Sequence, residues 1–168
     1  VKVDISPLAF YQVNRSSAEN LYRKAAEFAA LTGEETLVDL YCGAGTIGLS
    51  MAGQVKELIG VEIIPEAVKN ARFLCADASQ AATALADEGI RPDVVVVDPP
   101  RKGCDLPVLE AIARMAPSRV VYISCDPETL ARDLGVLQAN HYKIEQIQPV
   151  DMFPHTHHIE CVLKLTRK

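Results

Sequence analysis

The chain has 168 residues, of which 49% are apolar and 23% are charged, and this length and balance predict one globular domain with a single core. The formal net charge of −5 and the lack of a Lys/Arg block disfavour a protein that grips nucleic acid electrostatically over its whole surface. The longest wholly apolar stretch covers only residues 94–97, far short of the roughly 20 residues of a membrane helix, so no membrane association is expected.

Five cysteines occur in the chain, without a C-x-x-C pair and without a secretory segment. This pattern predicts neither a zinc ribbon nor a disulfide framework, and a reducing cytoplasm is the expected location. The chain begins at Val1 rather than at an initiator methionine. We therefore expect a single domain, residues 1–168, that is part of a longer protein.

The first predicted element is a helix over residues 16–31. Ser16 with Glu19 three residues later forms a capping box, and the apolar residues that follow have a helical period. Seven apolar runs come next and predict strands, at 36–41, 58–62, 72–76, 93–98, 119–124, 143–150 and 159–165. Helix-like stretches separate most of them, at 46–53, 65–71, 79–88, 105–115 and 127–139, and such alternation predicts a mostly parallel sheet.

The last two runs are joined only by the loop 151–157, which is too short for a parallel crossover and predicts an antiparallel hairpin. Seven strands ending in such a hairpin resemble the class I S-adenosylmethionine-dependent methyltransferases, whose fold is α/β and Rossmann-like. One link is unusual, because Asn70-Ala71 runs directly into the apolar run that starts at Arg72. Either this link is shortened or residues are missing there, and the sequence alone does not decide.

A glycine-rich turn follows the first predicted strand and indicates a nucleotide cofactor. Gly43-Ala-Gly45-Thr-Ile-Gly48 matches the dinucleotide fingerprint, and Glu62 ends the next run, where it is placed to hold two ribose hydroxyls. Asp39, four residues before Gly43, favours S-adenosylmethionine over a dinucleotide, because a carboxylate there suits an ammonium group and repels a pyrophosphate. Asp77 follows the third run, where it either contacts the adenine amino group or caps a helix.

Two further motifs place reactive groups at the same predicted sheet edge. Asp98-Pro-Pro-Arg101 follows a buried run, so Asp98 caps a strand and the prolines stiffen the loop. Methyltransferases that act on amino groups have an aromatic residue at the place of Arg101, and RNA cytosine-5 methyltransferases have a cysteine after the proline of this loop. Neither feature is present in this chain, which argues against methylation of an amino group and against methylation of cytosine carbon 5.

Cys125, in Ser124-Cys125-Asp126-Pro127, is the candidate nucleophile. Carbon 5 of a pyrimidine becomes nucleophilic only after a thiolate adds at carbon 6, and Cys125 lies where a parallel strand delivers a side chain to its carboxyl edge. The alternative is a small buried strand-end residue. The remaining carbon 5 proton then needs a general base, for which Glu160 is the candidate.

A histidine cluster at positions 155, 157 and 158 invites a metal interpretation. No cysteine or carboxylate falls at a typical ligand spacing from it, so no metal is expected.

Several motifs together carry a resemblance to one family. They are Phe10-Tyr-Gln-Val-Asn14, Asp39-Leu-Tyr-Cys-Gly-Ala-Gly45, Asp98-Pro-Pro-Arg101, Ser124-Cys-Asp-Pro-Glu-Thr-Leu-Ala-Arg-Asp133 and Asp151-Met-Phe-Pro-His155 with His158-Ile-Glu160. In this order they cover essentially the whole chain, which resembles the catalytic domain of the RNA uracil-5 methyltransferases acting on tRNA or rRNA. The resemblance implies that Cys125 is the nucleophile and Glu160 the base. It also implies an N-terminal OB-like RNA-binding domain that this chain lacks.

Carried over residue by residue, the resemblance implies a donor site and a substrate site. The S-adenosylmethionine site takes residues from the predicted turn and strand ends: Gln12, Asp39, Tyr41, Gly43, Gly45, Thr46, Glu62, Asp77 and Asp98. The substrate site takes Gln12, Asp98 and Arg101. Of the donor residues, Thr46 occupies a position that varies between branches of the family.

The leading hypothesis is methylation of uracil carbon 5 in RNA through a Cys125 adduct, with rRNA slightly preferred over tRNA. The target uridine must be unpaired or flipped out of its stack, and weak RNA binding by a monomer is expected, without DNA as a partner. The alternatives are a nucleotide-dependent oxidoreductase, which rests on the glycine fingerprint alone, and a non-catalytic RNA- or cofactor-binding module.

Overall fold

A computed structural model describes residues 14–42, 46–61, 71–74, 76–156 and 159–168. The helices are α1 (Arg15–Ala29), α2 (Thr46–Met51), α3 (Ala78–Asp87), α4 (Leu106–Met115) and α5 (Pro127–Ala139). The strands are β1 (Thr36–Leu40), β2 (Glu57–Val61), β3 (Ala71–Leu74), β4 (Val94–Val97), β5 (Arg119–Ser124), β6 (Tyr142–Val150) and β7 (Glu160–Arg167).

The strands form one sheet in the order β3-β2-β1-β4-β5-β7-β6. The first five strands pair in parallel, whereas β7 is antiparallel to both β5 and β6. The predicted α/β class and the antiparallel final hairpin are therefore confirmed. After β3 the chain returns to the centre of the sheet, so β4 lies beside β1 and the strand order reverses between them. In open α/β sheets, ligands bind at such a switch point.

Helices cover both faces of the sheet. One core layer packs α3, α4 and α5 against one face, and the other packs α1 and α2 against the opposite face. The four valines of β4 show why the strand belongs in the centre, because they alternate between the two layers and all four are fully buried. A strand with apolar residues on both sides is stable only where both of its faces are covered.

The strand β6 forms one outer edge of the sheet. Its residues 145–149 are exposed, a register irregularity lies between Ile144 and Gln146, and Pro149 stands near its end. At the other edge, only nine residues separate β2 from β3, and the predicted link before Arg72 lies largely outside the described residues. Ala71, predicted to end a helix, begins β3 instead.

The start of α1 corrects one sequence prediction. Asn14, not Ser16, is the N-cap: its side-chain oxygen accepts a hydrogen bond from the Ser17 backbone amide at 3.3 Å. The Ser16 hydroxyl instead donates to the same Asn14 oxygen, at 3.1 Å. The Asn14 amide also donates to the carbonyl of Met152, so the cap ties the helix to the loop before β7, and tertiary contact decides between two adequate capping residues.

Candidate active site

The candidate site lies where β1, β4 and β5 end and β7 begins. The last register pairs are Leu40 with Val97 and Ser124 with Cys161. The next residues along β1 and β4 are Tyr41 and Asp98, and the next along the antiparallel pair β5 and β7 are Cys125 and Glu160. The candidate nucleophile and the candidate base are therefore the residues next to the last pair on two neighbouring strands. Paired Cα atoms of antiparallel strands lie roughly 5 Å apart.

Asp39 holds the start of α2. Its carboxylate is buried, and its Oδ2 accepts a hydrogen bond from the Gly48 backbone amide at 2.8 Å. A Cβ atom at Gly48 would lie 2.6 Å from the same oxygen, so only glycine fits there. The third glycine of the fingerprint is thus explained by close packing against an acidic side chain.

Asp98 is partly buried at the end of β4, in an acidic environment. Burial raises the pKa of Asp98 to about 8, with further contributions from the negative charges of Glu160 and Asp39. Asp39, on β1, and Glu160, at the start of β7, are therefore both close enough to Asp98 to affect its ionisation. A cationic ligand would reduce their mutual repulsion.

The segment 98–105, which we call the β4–α4 loop, follows Asp98 and carries Arg101. Gly103 has a φ of 75°, and its amide donates a hydrogen bond to the Pro100 carbonyl at 2.8 Å, which closes a tight turn. The Arg101 side chain is exposed. Its charge nevertheless acts on the site, because it opposes the rise in pKa of both Cys125 and Glu160.

Cys125 lies between β5 and α5 and is partly buried. Asp126 is the N-cap of α5, and its Oδ1 accepts hydrogen bonds from the amides of Glu128 and Thr129. Burial raises the pKa of the Cys125 thiol, and the charges of Glu160 and Asp98 raise it further, whereas Arg101 lowers it. The net effect of these groups is to stabilise the thiol in its protonated form.

Glu160 is a buried acid at the first position of β7. Burial raises the pKa of Glu160, and the Arg101 charge acts against that rise. A carboxylate whose pKa lies above its usual value is a better proton acceptor than an ordinary surface glutamate. The sheet register and the electrostatics thus agree in placing Cys125, Glu160 and Arg101 within one site.

Two other predicted donor residues, Asp77 and Tyr41, lie within the described chain. Asp77 is exposed and caps α3, and its Oδ1 accepts hydrogen bonds from the amides of Ser79 and Gln80. Tyr41 has a left-handed backbone with a φ of 67°, and burial raises the pKa of its hydroxyl. The remaining predicted donor residues, Gln12, Gly43, Gly45 and Glu62, lie outside the described residues, as does the side chain of Thr46.

One part of the site was missed by the sequence analysis. Arg132 and Asp133 close the motif that begins at Ser124, but no role was assigned to them. Asp133 is fully buried and accepts a hydrogen bond from the Tyr122 hydroxyl at 2.6 Å. The detectable signal was a charged residue on the apolar face of α5, between the buried Leu130 and Leu134.

No metal site can be recognised within the described ranges, where no group of three or more His, Cys, Asp or Glu side chains is close enough to hold an ion. His155 is described, but His157 and His158 are not. Over the same ranges, no helix has the length and apolar character needed to cross a membrane.

Comparison with known proteins decides the family. The family model described as tRNA (uracil-5-)-methyltransferase matches residues 84–168, half of the chain, including the β4–α4 loop, Cys125 and Glu160. The chain belongs to this family. Membership favours a methyltransferase over the oxidoreductase alternative that the glycine fingerprint left open.

Individual relatives extend the match toward the start of the chain. An uncharacterized RNA methyltransferase of Clostridium tetani is 48% identical, over 98% of this chain and 38% of its own length. One of Halalkalibacterium halodurans is 49% identical, over 100% of this chain and 39% of its own length. The chain therefore spans about two fifths of the length of these relatives. The second alignment covers 180 residues, so that relative has about a dozen residues more in the matched region.

Solved structures support the same fold. The tRNA (uracil-54, C5)-methyltransferase of Pyrococcus abyssi, in complex with S-adenosyl-L-homocysteine, has a TM-score of 0.76 and 34% identity, over 98% of this chain and 43% of its own. The precorrin-6y C5,15-methyltransferase of Geobacter metallireducens has a TM-score of 0.70 at 12% identity, over 98% and 94% of the two chains. The second match shows the fold alone, that of class I S-adenosylmethionine-dependent methyltransferases.

Proposed function

We propose that the chain catalyses S-adenosylmethionine-dependent methylation of uracil carbon 5 in RNA, with Cys125 as nucleophile and Glu160 as general base. The observation that carries the proposal is the β5–β7 register, whose last pair is Ser124 with Cys161. Cys125 follows Ser124 and Glu160 precedes Cys161, so both adjoin that last pair. Family membership supplies the reaction class.

The acidic groups at the edge fit the proposed donor. S-adenosylmethionine supplies an electrophilic methyl group on a positively charged sulfonium and also carries an ammonium group. Asp39 lies on β1, and Asp98 follows directly after the neighbouring strand β4. Burial and nearby negative charge raise the pKa of Asp98, and the positive charge of a bound donor would favour its ionised form. Asp39 keeps Gly48 in place with one carboxylate oxygen, and we assign its other oxygen to the donor's ammonium group. Gln12, Tyr41, Thr46, Glu62 and Asp77 remain proposed donor contacts.

The first chemical step is addition of the Cys125 thiolate to carbon 6 of the uracil ring. Cys125 must lose its proton, and the Arg101 charge favours that loss. As the C6–S bond forms, the C5–C6 π electrons move toward O4 and give an enolate. We assign Arg101 and Asp98 to the substrate, with Arg101 opposing the negative charge that develops on the ring. Carbon 5 would then use the enolate electron pair to bond to the methyl carbon, while the bond from that carbon to the sulfonium sulfur breaks and S-adenosylhomocysteine leaves as a neutral thioether.

The second step restores the aromatic ring and frees the enzyme. Carbon 5 now bears both the methyl group and its original proton. The Glu160 carboxylate removes that proton, the C5–H electrons form the C5=C6 double bond, and the C6–S bond breaks to release the Cys125 thiolate. The raised pKa of Glu160 suits this role, because a stronger base removes a carbon-bound proton more readily.

The choice of RNA is a finer proposal. We propose that the substrate is a flipped or unpaired uridine, because a duplex hides carbon 5 from a thiol on the protein. The net charge of −5 predicts weak RNA binding by this chain. The preference for rRNA over tRNA, the monomeric state and the exclusion of DNA stay predictions, and both RNA classes belong in the assay.

The test uses RNA that contains 5-fluorouridine, together with donor carrying a radiolabelled methyl group. Fluorine at carbon 5 cannot be removed as a proton, so the reaction stops at the methylated adduct. We expect a labelled, RNA-shifted protein band on a denaturing gel, and its loss in Cys125→Ala. Cys161→Ser is the matched control, because Cys161 is a partly buried cysteine beside Glu160 that has no assigned role.

With ordinary uridine, Glu160→Gln should accumulate the same adduct, because methylation proceeds and proton removal does not. An adduct that persists in Cys125→Ala would refute the assignment of the nucleophile. Bound donor and RNA without any adduct would refute thiolate addition itself.

A further inference from the structure

Asp133 organises a buried polar cluster behind the candidate nucleophile. It lies on α5, and its side chain is fully buried. Its Oδ2 accepts hydrogen bonds from the Tyr122 hydroxyl at 2.6 Å and from the Cys104 backbone amide at 2.8 Å. Its Oδ1 accepts a hydrogen bond from Arg132 Nε at 2.8 Å. The carboxylate therefore joins α5, β5 and the β4–α4 loop at one point.

Arg132 extends the same connection along the loop. Its Nη2 lies 2.7 Å from Asp133 Oδ1 and donates to the carbonyls of Lys102, at 2.9 Å, and Cys104, at 3.1 Å. One turn earlier on α5, the Thr129 hydroxyl donates to the Arg101 carbonyl at 3.0 Å. Three side chains of α5 thus bind four backbone groups of residues 101–104.

The loop is packed tightly against these side chains. A Cβ atom at Gly103 would lie 2.6 Å from Arg132 Nη2 and 2.6 Å from Asp133 Oδ2. Gly103 also has a φ of 75°, which side-chain-bearing residues adopt at a cost. The loop can therefore approach α5 this closely only with glycine at its tip.

We propose that Arg132 and Asp133 are positioning residues that fix the distance between Arg101 and Cys125. Cys125 immediately precedes the N-cap of α5, and Arg101 is anchored to the same helix through its carbonyl and through the residues that follow it. The nucleophile and the backbone of the arginine whose charge favours its ionisation are thereby held to the same helix. This inference rests on the proposed function in one respect, namely that Cys125 is the nucleophile.

The test measures alkylation of Cys125 by iodoacetamide as a function of pH, resolved by peptide mass spectrometry so that the other cysteines do not interfere. Arg132→Lys keeps the charge but cannot bind Asp133, Lys102 and Cys104 with a planar fork. We expect the midpoint of the Cys125 profile to move to higher pH and the rate near neutral pH to fall about threefold or more, because an opposite charge close to a titrating group shifts its pKa. Arg101→Ala should produce the same change.

The double variant decides whether Arg132 acts through Arg101. If it does, Arg132→Lys combined with Arg101→Ala shifts the profile no further than Arg101→Ala alone. Additive shifts, or an unchanged profile in Arg132→Lys, would overturn the proposal. Arg114→Lys is the control for substitution of an exposed arginine, since Arg114 pairs with Asp87 on the outer surface.

A second pair of variants protects the test against misfolding of Arg132→Lys. Thr129→Val removes the donor to the Arg101 carbonyl, whereas Thr129→Ser keeps a hydroxyl there. We expect the Val variant to move the Cys125 profile in the same direction and the Ser variant to restore it; equal profiles for the two would overturn the proposal. Alkylation reads the thiol alone, so a shifted profile without any 5-fluorouridine adduct would refute the methylation proposal and leave the positioning role intact.

Discussion

Replacement of Asp98 by asparagine should stabilise the fold at alkaline pH. Asp98 lies among carboxyl groups, and burial, followed by the charges of Glu160 and Asp39, raises its pKa from 3.8 to about 8. The folded chain therefore holds a proton that the unfolded chain releases at about pH 4. Between these two values the unfolded state binds fewer protons, so the free energy of unfolding falls as the pH rises. The asparagine side chain of the variant has no such proton to lose.

The size of the effect follows from the pKa difference. At about 1.4 kcal/mol for each pH unit, the full difference would give a ceiling of about 5 to 6 kcal/mol near pH 8. Asp98 keeps partial contact with solvent, which screens its neighbours, and relaxation of the site reduces the effect further, so we expect about 1 to 3 kcal/mol. Near pH 4 the aspartate is protonated in the folded chain, and Asp98→Asn should be close to neutral.

Urea unfolding followed by circular dichroism, at about pH 5 and about pH 8, measures the change in the free energy of unfolding caused by Asp98→Asn at each pH. Asp105→Asn is the control, because Asp105 is an exposed acid in the same loop. An increase in the free energy of unfolding of Asp98→Asn that is larger at alkaline than at acidic pH supports the reasoning. Equal effects at both pH values would show that folding does not raise the pKa of Asp98, and a loss that grows with pH would show that its carboxylate is stabilised in the folded chain. Either result would refute the reasoning.

Three further predictions concern stability. Gly48→Ala places a methyl group 2.6 Å from Asp39 Oδ2 and should lower the free energy of unfolding by about 1 to 3 kcal/mol. Gly135→Ala, in open space on α5, should raise it by about 0.5 to 1 kcal/mol, and thermal unfolding of the two variants tests this contrast. Glu35→Gln should cost about 1 to 2 kcal/mol near neutral pH, because the hydrogen bond from the Thr32 amide holds the pKa of Glu35 at about 2 against the opposing effect of burial. That cost should shrink as the pH falls toward 2, and stability curves of the two proteins that stay parallel during acid titration would contradict this. Asn14→Ala should cost about 1 kcal/mol through loss of the α1 cap, measured by urea unfolding, and a larger loss in Ser16→Ala would favour the capping box instead.

The sequence was sufficient for the framework because the framework depends on simple periodicities. The valines of β4 are apolar on both faces, which only a central parallel strand requires, and the short loop before β7 permits only a reversal of direction. The described elements begin and end within two residues of the predicted ones. The edge that carries Asp98 and Cys125 followed from the same pattern, because parallel strands end together. Glu160 lies at the first position of β7, which runs antiparallel to β5 and so begins where β5 ends.

What the sequence did not predict depends on contacts between distant segments. Asn14 and Ser16 are both good capping residues, and the bond from Asn14 to the Met152 carbonyl, far along the chain, gives Asn14 a second partner. Asp133 is a charged residue inside an apolar helix face, and its partners Tyr122 and Cys104 come from a strand and a loop. Patterns within a single sequence contain no information on these contacts between distant segments, so a buried network of this kind is recognised only in the folded structure.

The outer strand β6 has a consequence for how separate molecules meet. A free strand edge offers unpaired amides and carbonyls to another chain, and such edges can seed intermolecular sheets. Here the exposed stretch contains Pro149, which has no amide to donate, and a charged residue, Glu145, next to the register irregularity. A neighbouring strand could not continue an unbroken ladder along this edge, so the exposed Ile147 is presented on a surface that resists fibre-like growth.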